Sequence, residues 1–462
     1  MHKAILIVII LFLSAWPLAL AEEGGSEAVG LREGHLIQGE GAREPIWRGP
    51  LTISRAAAIA LEHNRQIQIA LQVKVKAKGL LIEATSGALP QLAFAGNYTR
   101  SDMSFLGTKD NYSLALNLTQ PIYLGGSVRA AIRGAKVHTN IADEILRQRC
   151  QEVLFEAKRG YYDVLLAKEL ESADEEQVNL TRSHLEEVEK RLKEGVASKF
   201  DLLRAQVALA NARAQAIQSK NAVRLAVTSF LKTLGLSPQS QVDFVDELRD
   251  EEVAPEFDQE ESKALIYRSD LRQAALNIRY QKEKIEIAKS GLRPRLNFLA
   301  TYQWARPFAG LGDAWEDELS GMLTLEVPLF DGFRTKGKVM QEEASLAAIK
   351  TLALDLEETM RTEIEQALLS IEDAQEFVQS QEANVAQAEE SLRLAEVGYR
   401  NGVNRLIEVL DARVALTQAR RNLSQAIYNH MLARLLLERA TGLIGEELIA
   451  ARHWALNGEL VE

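Results

Sequence analysis

The chain has one cysteine, Cys150, so it carries no intrachain disulfide and no cysteine-based metal cluster. Cys150 lies in a helical stretch and is expected as a small buried or half-buried side chain. Proline is scarce, ten residues confined to a few places, and aromatic residues make up only 6%. Long stretches of Ala, Leu, Glu, Gln, Arg and Lys contain no proline, which predicts a mainly helical protein. Beyond residue 21 no uninterrupted apolar run reaches the roughly 18 residues of a spanning helix. Basic residues are outnumbered, 54 against 65 acidic, for a net charge of −11. Such a chain is poorly suited to gripping nucleic-acid phosphates, so no nucleic-acid partner is expected. There is no HExxH, Walker A loop, GxSxG or CxxC, and the seven histidines are scattered. No enzyme activity, cofactor or metal site is expected. Acid pairs such as Glu357-Glu358 and Glu389-Glu390 read as solvated helix faces.

What is present begins with an address. Lys3, the apolar Ala4 to Leu13 and the small-x-small Ala19-Leu20-Ala21 before Glu22 predict a secretory signal peptide over 1–21. Trp16-Pro17 interrupts the apolar run short of a membrane span, and no cysteine follows the cut to take a lipid. Residues 22–50 are Gly- and Glu-rich without helical period and read as an extended lead. An exported chain without a spanning helix is soluble, surface-bound or a membrane β-barrel.

The chain is written twice. Lys193-Glu194-Gly195-Val196 matches Arg400-Asn401-Gly402-Val403, an offset of 207 (402 − 195). The same offset relates Pro121 to Pro328, Gly125 to Gly332 and Gly235-Leu236 to Gly442-Leu443. Earlier in each half the offset is 204 (294 − 90), relating Pro90 to Pro294, Tyr98 to Tyr302 and Ala60-Leu61 to Ala264-Leu265. The three-residue change falls between Tyr98 and Pro121, where a longer hairpin loop would put it. Each half then predicts a helix, two strands, a very long helix and a shorter helix. The first helix is expected over 52–88, with Thr52 or Ser54 near its cap.

The strands are expected near 90–103 and 111–122 and at the matching places of the second half. Tyr112, Leu114, Leu116 and Leu118 alternate with Ser113, Ala115, Asn117 and Thr119. Leu296, Phe298, Ala300, Tyr302 and Trp304 do the same, as do Leu319, Gly321, Leu323, Leu325 and Val327. Period-two alternation gives one apolar and one polar face. A soluble half-buried sheet would show it too, but about ten residues is the length of a tilted membrane-spanning strand. Four matched segments in an exported chain favour the barrel.

Ser127–Glu194 and Thr335–Arg400 carry no proline and predict helices on the order of 100 Å long. The shorter pieces, near 198–234 and 260–290, would together return the same distance. Leu202, Ala205, Leu209, Ala212 and Ala216 step by threes and fours, as do Val409, Ala412, Leu416, Ala419 and Leu423. Val378, Val385, Ala388, Leu392, Ala395 and Tyr399 continue the pattern. This predicts a coiled-coil seam with small residues, although an ordinary helical-bundle core fits equally well locally.

The candidate sites are the two helix turns, Gly195-Val196-Ala197-Ser198 and Gly402-Val403-Asn404-Arg405. Gly195 and Gly402 suit the left-handed position that ends a helix. Ser198 with Asp201 suits the next N-terminus. Just inside the second turn stand Glu408 and Asp411, about one turn apart on one helix face. Asp201 is the repeat mate of Glu408, and Arg204 stands opposite Asp411. In a symmetric oligomer such carboxylates would form a cation-favouring ring. Helix-start dipole compensation alone would also account for Asp201 and Glu408.

This organisation resembles the TolC family of outer-membrane efflux proteins over nearly all of residues 50–445. The marks are Ile53-Ser54-Arg55-Ala56 through Leu61-Glu62-His63-Asn64, Gln120-Pro121-Ile122-Tyr123 with Gly125-Gly126, and Val327-Pro328-Leu329-Phe330-Asp331-Gly332. The most specific is Gly398-Tyr399-x-x-Gly402 running into Leu406-Ile407-Glu408-Val409-Leu410-Asp411-Ala412. The resemblance implies a homotrimer in outer-membrane lipid, four strands per protomer closing a 12-stranded barrel, and helices forming a periplasmic tunnel. It implies docking of a periplasmic adaptor (membrane fusion) protein at the helix tips, linked to an inner-membrane transporter. It places Glu408 and Asp411 at the entrance and Tyr399 at a closed-state contact, with Asn404 and Arg405 departing from the usual basic partner. The expected domains are a signal peptide (1–21), a lead (22–50), two efflux-protein repeats (51–250 and 251–445) and a tail (446–462). A type I protein-secretion conduit would share this fold. An exported helical scaffold without channel activity would lack the four alternating strands.

Overall fold

The computed structural model describes residues 45–100, 110–249, 253–306, 314–401 and 403–449. The signal peptide, most of the lead, Gly402 and residues 450–462 lie outside the described residues. The chain divides into two compact units, one built around a four-stranded sheet and one of helices.

In the first unit β2 (Gln91–Arg100), β3 (Asp110–Leu124), β5 (Arg295–Arg306) and β6 (Glu316–Glu326) pair in that order, all antiparallel. The register sets Phe94 opposite Leu116, Leu116 opposite Tyr302, and Tyr302 opposite Leu319. The alternating residues of all four strands therefore share one apolar face. The hairpin difference read from the repeat sits where expected: Tyr98 pairs with Tyr112 at a separation of 14 (112 − 98), Tyr302 with Leu319 at 17 (319 − 302). Described residues leave that apolar face open, with Leu92 65% and Phe94 68% exposed on one edge and Leu325 65% on the other. Tyr98, Tyr112, Trp315, Tyr302 and Trp304 cluster at the hairpin end, Tyr98 and Tyr112 with ring centroids 5.1 Å apart and Tyr302 and Trp304 4.2 Å apart. Gly125 turns the chain out of β3 at φ +65, where a Cβ would lie 2.8 Å from the Ser290 carbonyl oxygen; only glycine fits.

The second unit holds all but the first turns of the long helices α3 (Ser127–Lys193) and α7 (Arg334–Arg400), 67 residues each, and their partners α4 (Lys199–Leu234) and α8 (Leu406–Thr441), 36 each. The two long helices and α4 match the expected lengths. Two helices differ from expectation. The first is split into α1 (Ile53–His63) and α2 (Arg65–Ser86), its second-half mate into α5 (Phe257–Tyr267) and α6 (Ser269–Lys289). The breaks fall at Asn64 and Arg268, which are repeat mates (268 − 64 = 204). Asn64 leaves the helix with extended ψ, its side-chain oxygen accepting from the Gln66 N–H and its amide donating to the Thr233 carbonyl at 2.7 Å. Local side-chain competition of this kind is why Asn ends helices. Arg268 breaks the second by turning its guanidinium inward to Asp270, Glu363 and the Ala440 carbonyl. As expected, Thr52 caps α1, accepting from the Arg55 N–H.

The largest core of the described residues lies here. Arg48–Leu51 (β1) pairs in parallel with Gln241–Phe244 (β4), a short non-local ladder. It closes over Tyr161, Phe230 and Leu234, and the buried Tyr161 hydroxyl donates to the Leu51 carbonyl at 2.8 Å. Burial pushes the Tyr161 phenol well above its ordinary range, so it stays a donor. Cys150 is buried within the same core.

Candidate export tip and helical seam

The first tip turn is built as its residues suggest. Gly195 sits at φ +76, and the Val196 and Ala197 N–H groups both return to the Arg191 carbonyl, the closing bonds of a left-handed helix terminus. Ser198 then caps α4: its hydroxyl accepts from the Asp201 N–H while the Asp201 carboxylate accepts from the Ser198 N–H at 3.0 Å. These hydrogen bonds hold the Asp201 carboxyl below its ordinary range. Asp201 is thus engaged in a capping box on α4, on a different helix from Glu408 and Asp411.

In the second turn the Val403 and Asn404 N–H groups return to the Gly398 carbonyl, at 2.8 and 3.1 Å. The Asn404 side chain lies against Gly398, where a Cβ would come within 2.6 Å of it. That close approach explains the first glycine of Gly398-Tyr399-x-x-Gly402. Arg405 precedes α8 and reaches the Glu408 carboxylate at 3.6 Å; an exposed pair of this kind contributes about 0–1 kcal/mol. Glu408 and Asp411 are exposed, while the residue after each, Val409 and Ala412, is buried against Ala395, Leu392 and Tyr399 of α7. The 3-4 stripe read from sequence is therefore the inner face of the α7–α8 hairpin.

Tyr399 reaches across to the other hairpin. Its hydroxyl donates to Glu187 of α3 at 3.2 Å, and the Arg191 guanidinium lies over its ring at 4.5 Å. Glu187 and Arg191 also pair at 3.3 Å. Burial and the Glu187 charge push the Tyr399 phenol up, which keeps its proton on at any physiological pH. The basic group beside Tyr399 thus comes from Arg191. Sequence reading missed Glu187 and Arg191 because they sit on an ordinary charged helix face more than 200 residues away.

α3 and α8 also make a series of polar contacts. Lys158 meets Glu438 at 2.6 Å, Tyr428 donates to Asp163, Arg421 pairs with the buried Asp174, and Thr417 donates to Gln177 at 3.0 Å. Burial first, and then Asp163, push the Tyr428 phenol up to about 12. At the tip the α7–α8 hairpin is held internally by apolar packing and meets α3 through polar contacts, while farther from the tip Leu432, Leu435 and Leu436 of α8 join the apolar core built on α3 and α4. Polar contacts can exchange with water when helices shift, whereas apolar seams resist parting.

His184 sits buried in this seam beside Glu187, Arg191 and Arg413. Burial lowers its proton affinity below the ordinary 6.5, Glu187 opposing and the two arginines reinforcing. The folded state then binds fewer protons than the unfolded one, so stability is full above that value and falls as pH drops below about 6.5. We expect the thermal midpoint to fall between pH 7.5 and 5.5, and His184→Gln to flatten that drop; an unchanged slope would remove His184 as its source.

Comparison with known proteins agrees with this architecture. The family model described as outer membrane efflux protein matches residues 57–236 and 262–443, one match per repeat. The outer membrane protein TolC of Escherichia coli (strain K12) is 24% identical, covering 81% of this chain and 79% of that protein. The alkaline protease secretion protein AprF of Pseudomonas aeruginosa is 22% identical, covering 85% of each. The crystal structure of the outer membrane protein VceC from Vibrio cholerae superposes with a TM-score of 0.72 at 20% identity, covering 84% of this chain and 96% of that one. With both repeats matched and the sheet-and-hairpin fold shared, the chain belongs to the outer membrane efflux protein family and is an outer-membrane channel.

Proposed function

We propose that this channel works as a passive homotrimeric conduit, without catalysis, in a tripartite export system. The observation that carries the trimer is the sheet. β2 and β6 are both edge strands, 10 and 11 residues long, with no described strand beyond them. Long uncovered edges seek partners. Pairing β6 of one copy with β2 of the next closes twelve strands, the open apolar face turns to lipid, and the hairpin-end aromatics form one interfacial girdle. The helical unit supplies the periplasmic tunnel. A periplasmic adaptor docks at the tips, Gly195 to Ser198 and Gly402 to Arg405, and couples the conduit to an inner-membrane transporter.

The Tyr399–Glu187–Arg191 contact supports a closed tip, and the polar contacts between α3 and α8 support an untwisting of the α7–α8 hairpin on adaptor binding. Such a two-state change is biased by whichever contacts differ between states. Glu408 and Asp411, exposed on one face of α8, would ring the entrance and favour cations, with Asp201 contributing through its cap. In planar bilayers the purified, detergent-extracted trimer should give discrete cation-preferring steps. Glu408→Ala with Asp411→Ala should bring the cation-to-anion permeability ratio toward one. An unchanged ratio would remove these two from the entrance, and a detergent-independent soluble protein without conductance would remove the conduit itself. A type I protein-secretion role uses the same conduit, and the likeness to AprF supports it; secretome and drug-sensitivity assays on a deletion strain separate the two.

A further inference from the structure

Between β6 and α7 the chain leaves three large apolar side chains in the open: Leu329 at 92%, Phe330 at 73% and Phe333 at 68% exposure. Exposing so much apolar surface is costly, and a contiguous patch of this kind marks a contact. Phe333 is also the one non-glycine with positive φ among the described residues, at +66. Its repeat mate is Gly126 (333 − 207 = 126), which takes φ +85 in the equivalent turn. The first half thus uses a glycine where left-handed backbone is needed, and the second half forces an aromatic into it. Backbone strain of this kind persists where the side chain it displays has a use.

Two features say what the patch meets. The first is continuity. The odd-numbered series Leu319, Gly321, Leu323, Leu325 of the open sheet face continues in sequence through Val327 to Leu329, past the end of the strand ladder. On β3 the bulge between Pro121 and Tyr123 sets Tyr123, the repeat mate of Phe330, opposite Leu296 on the same apolar face. The second is charge. Arg334, Lys336 and Lys338 follow at once, all exposed; Arg334 lies near enough to Asp331 to help hold that carboxyl low. Lys336 lies 6.0 Å over the Phe333 ring, and the Phe330 and Phe333 rings meet edge to face at 5.4 Å.

We propose that this turn is a phospholipid anchor: Leu329, Phe330 and Phe333 enter the periplasmic leaflet of the outer membrane, and Arg334, Lys336 and Lys338 take the glycerophospholipid phosphates. Aromatic rings and basic groups side by side are the chemistry of a membrane interface. The strained backbone turns Phe333 outward at the end of the sheet, where a glycine would leave the anchor one ring short. The inference rests on the sheet face being lipid-facing.

The test is photo-crosslinking of the trimer in nanodiscs of phosphatidylethanolamine and phosphatidylglycerol, with p-benzoylphenylalanine at position 333 and, separately, at position 323 on the sheet. A phospholipid mass added to the protomer at both positions is the expected result. Lipid at 323 with a protomer–protomer band at 333 overturns the anchor alone and assigns the patch to a second copy. No lipid at either position overturns the lipid-facing sheet. Alongside, phosphatidylglycerol retention by native mass spectrometry should fall about fivefold for each of Arg334→Gln, Lys336→Gln and Lys338→Gln. Phe333→Gly should lower retention while conductance stays at the parent value, and equal retention in all four variants would also overturn the proposal.

Discussion

Tyr399→Phe combined with Glu187→Ala is expected to leave the channel open far more of the time than the parent. Tyr399 is the donor and Glu187 the acceptor of the contact that ties the α7–α8 hairpin to α3 at the tip. A half-buried hydrogen bond to a carboxylate contributes about 1 kcal/mol net. Three copies around a symmetric entrance give about 3 kcal/mol, which shifts an open-to-closed ratio by about a hundredfold. The substitutions should spare the fold, because Val409, Ala412 and Ala395 still pack the hairpin. Arg191→Ala should act in the same direction and more weakly, since it removes the guanidinium over the ring and leaves the hydrogen bond. The measurement is mean conductance at fixed voltage before and after adaptor is added. Parent-like conductance without adaptor would sink the closed-tip reading. A high conductance that adaptor no longer raises is the signature expected.

The second large effect is on stability. Phe230→Ala should cost about 3–5 kcal/mol, the toll of emptying a large aromatic site. Phe230 is 1% exposed and packs against Tyr161 at 5.8 Å and Phe244 at 5.6 Å between ring centroids. Gly160 lets α3 approach it, since a Cβ there would come within 3.3 Å of the ring. The site cannot collapse easily, because Tyr161 is tied to Leu51 and β4 is held by β1. Phe230→Leu, which keeps most of the volume, should cost less. Heating of the detergent-solubilised protein at one scan rate should show a midpoint several degrees lower for the alanine variant. A midpoint within about one degree of the parent would mean that this core does not govern unfolding.

Much of this protein is legible in its residue order. The duplication follows from matched glycines, prolines and tyrosines. The long helices follow from proline-free stretches, and the strands follow from period-two alternation over about ten residues, because side-chain direction along a strand or helix is set by local backbone geometry. The Gly195 turn and the Ser198–Asp201 capping box are equally local, each closed within a few residues. Tertiary structure decided the rest. The β1–β4 ladder joins four-residue segments almost 200 positions apart, too short and too distant to announce themselves. Arg268 breaks its helix through partners on other helices, which no local propensity encodes. Tyr399 was visible as a site residue, but its partners Glu187 and Arg191 became distinct from dozens of similar surface charges only once α3 lay beside α7. The sheet face was predicted apolar; that it stays open among the described residues, and that Phe333 stands in left-handed backbone at its end, are facts of three-dimensional arrangement. Local chemistry sets what each segment is, and long-range packing sets which of its many charges and rings acquire a partner.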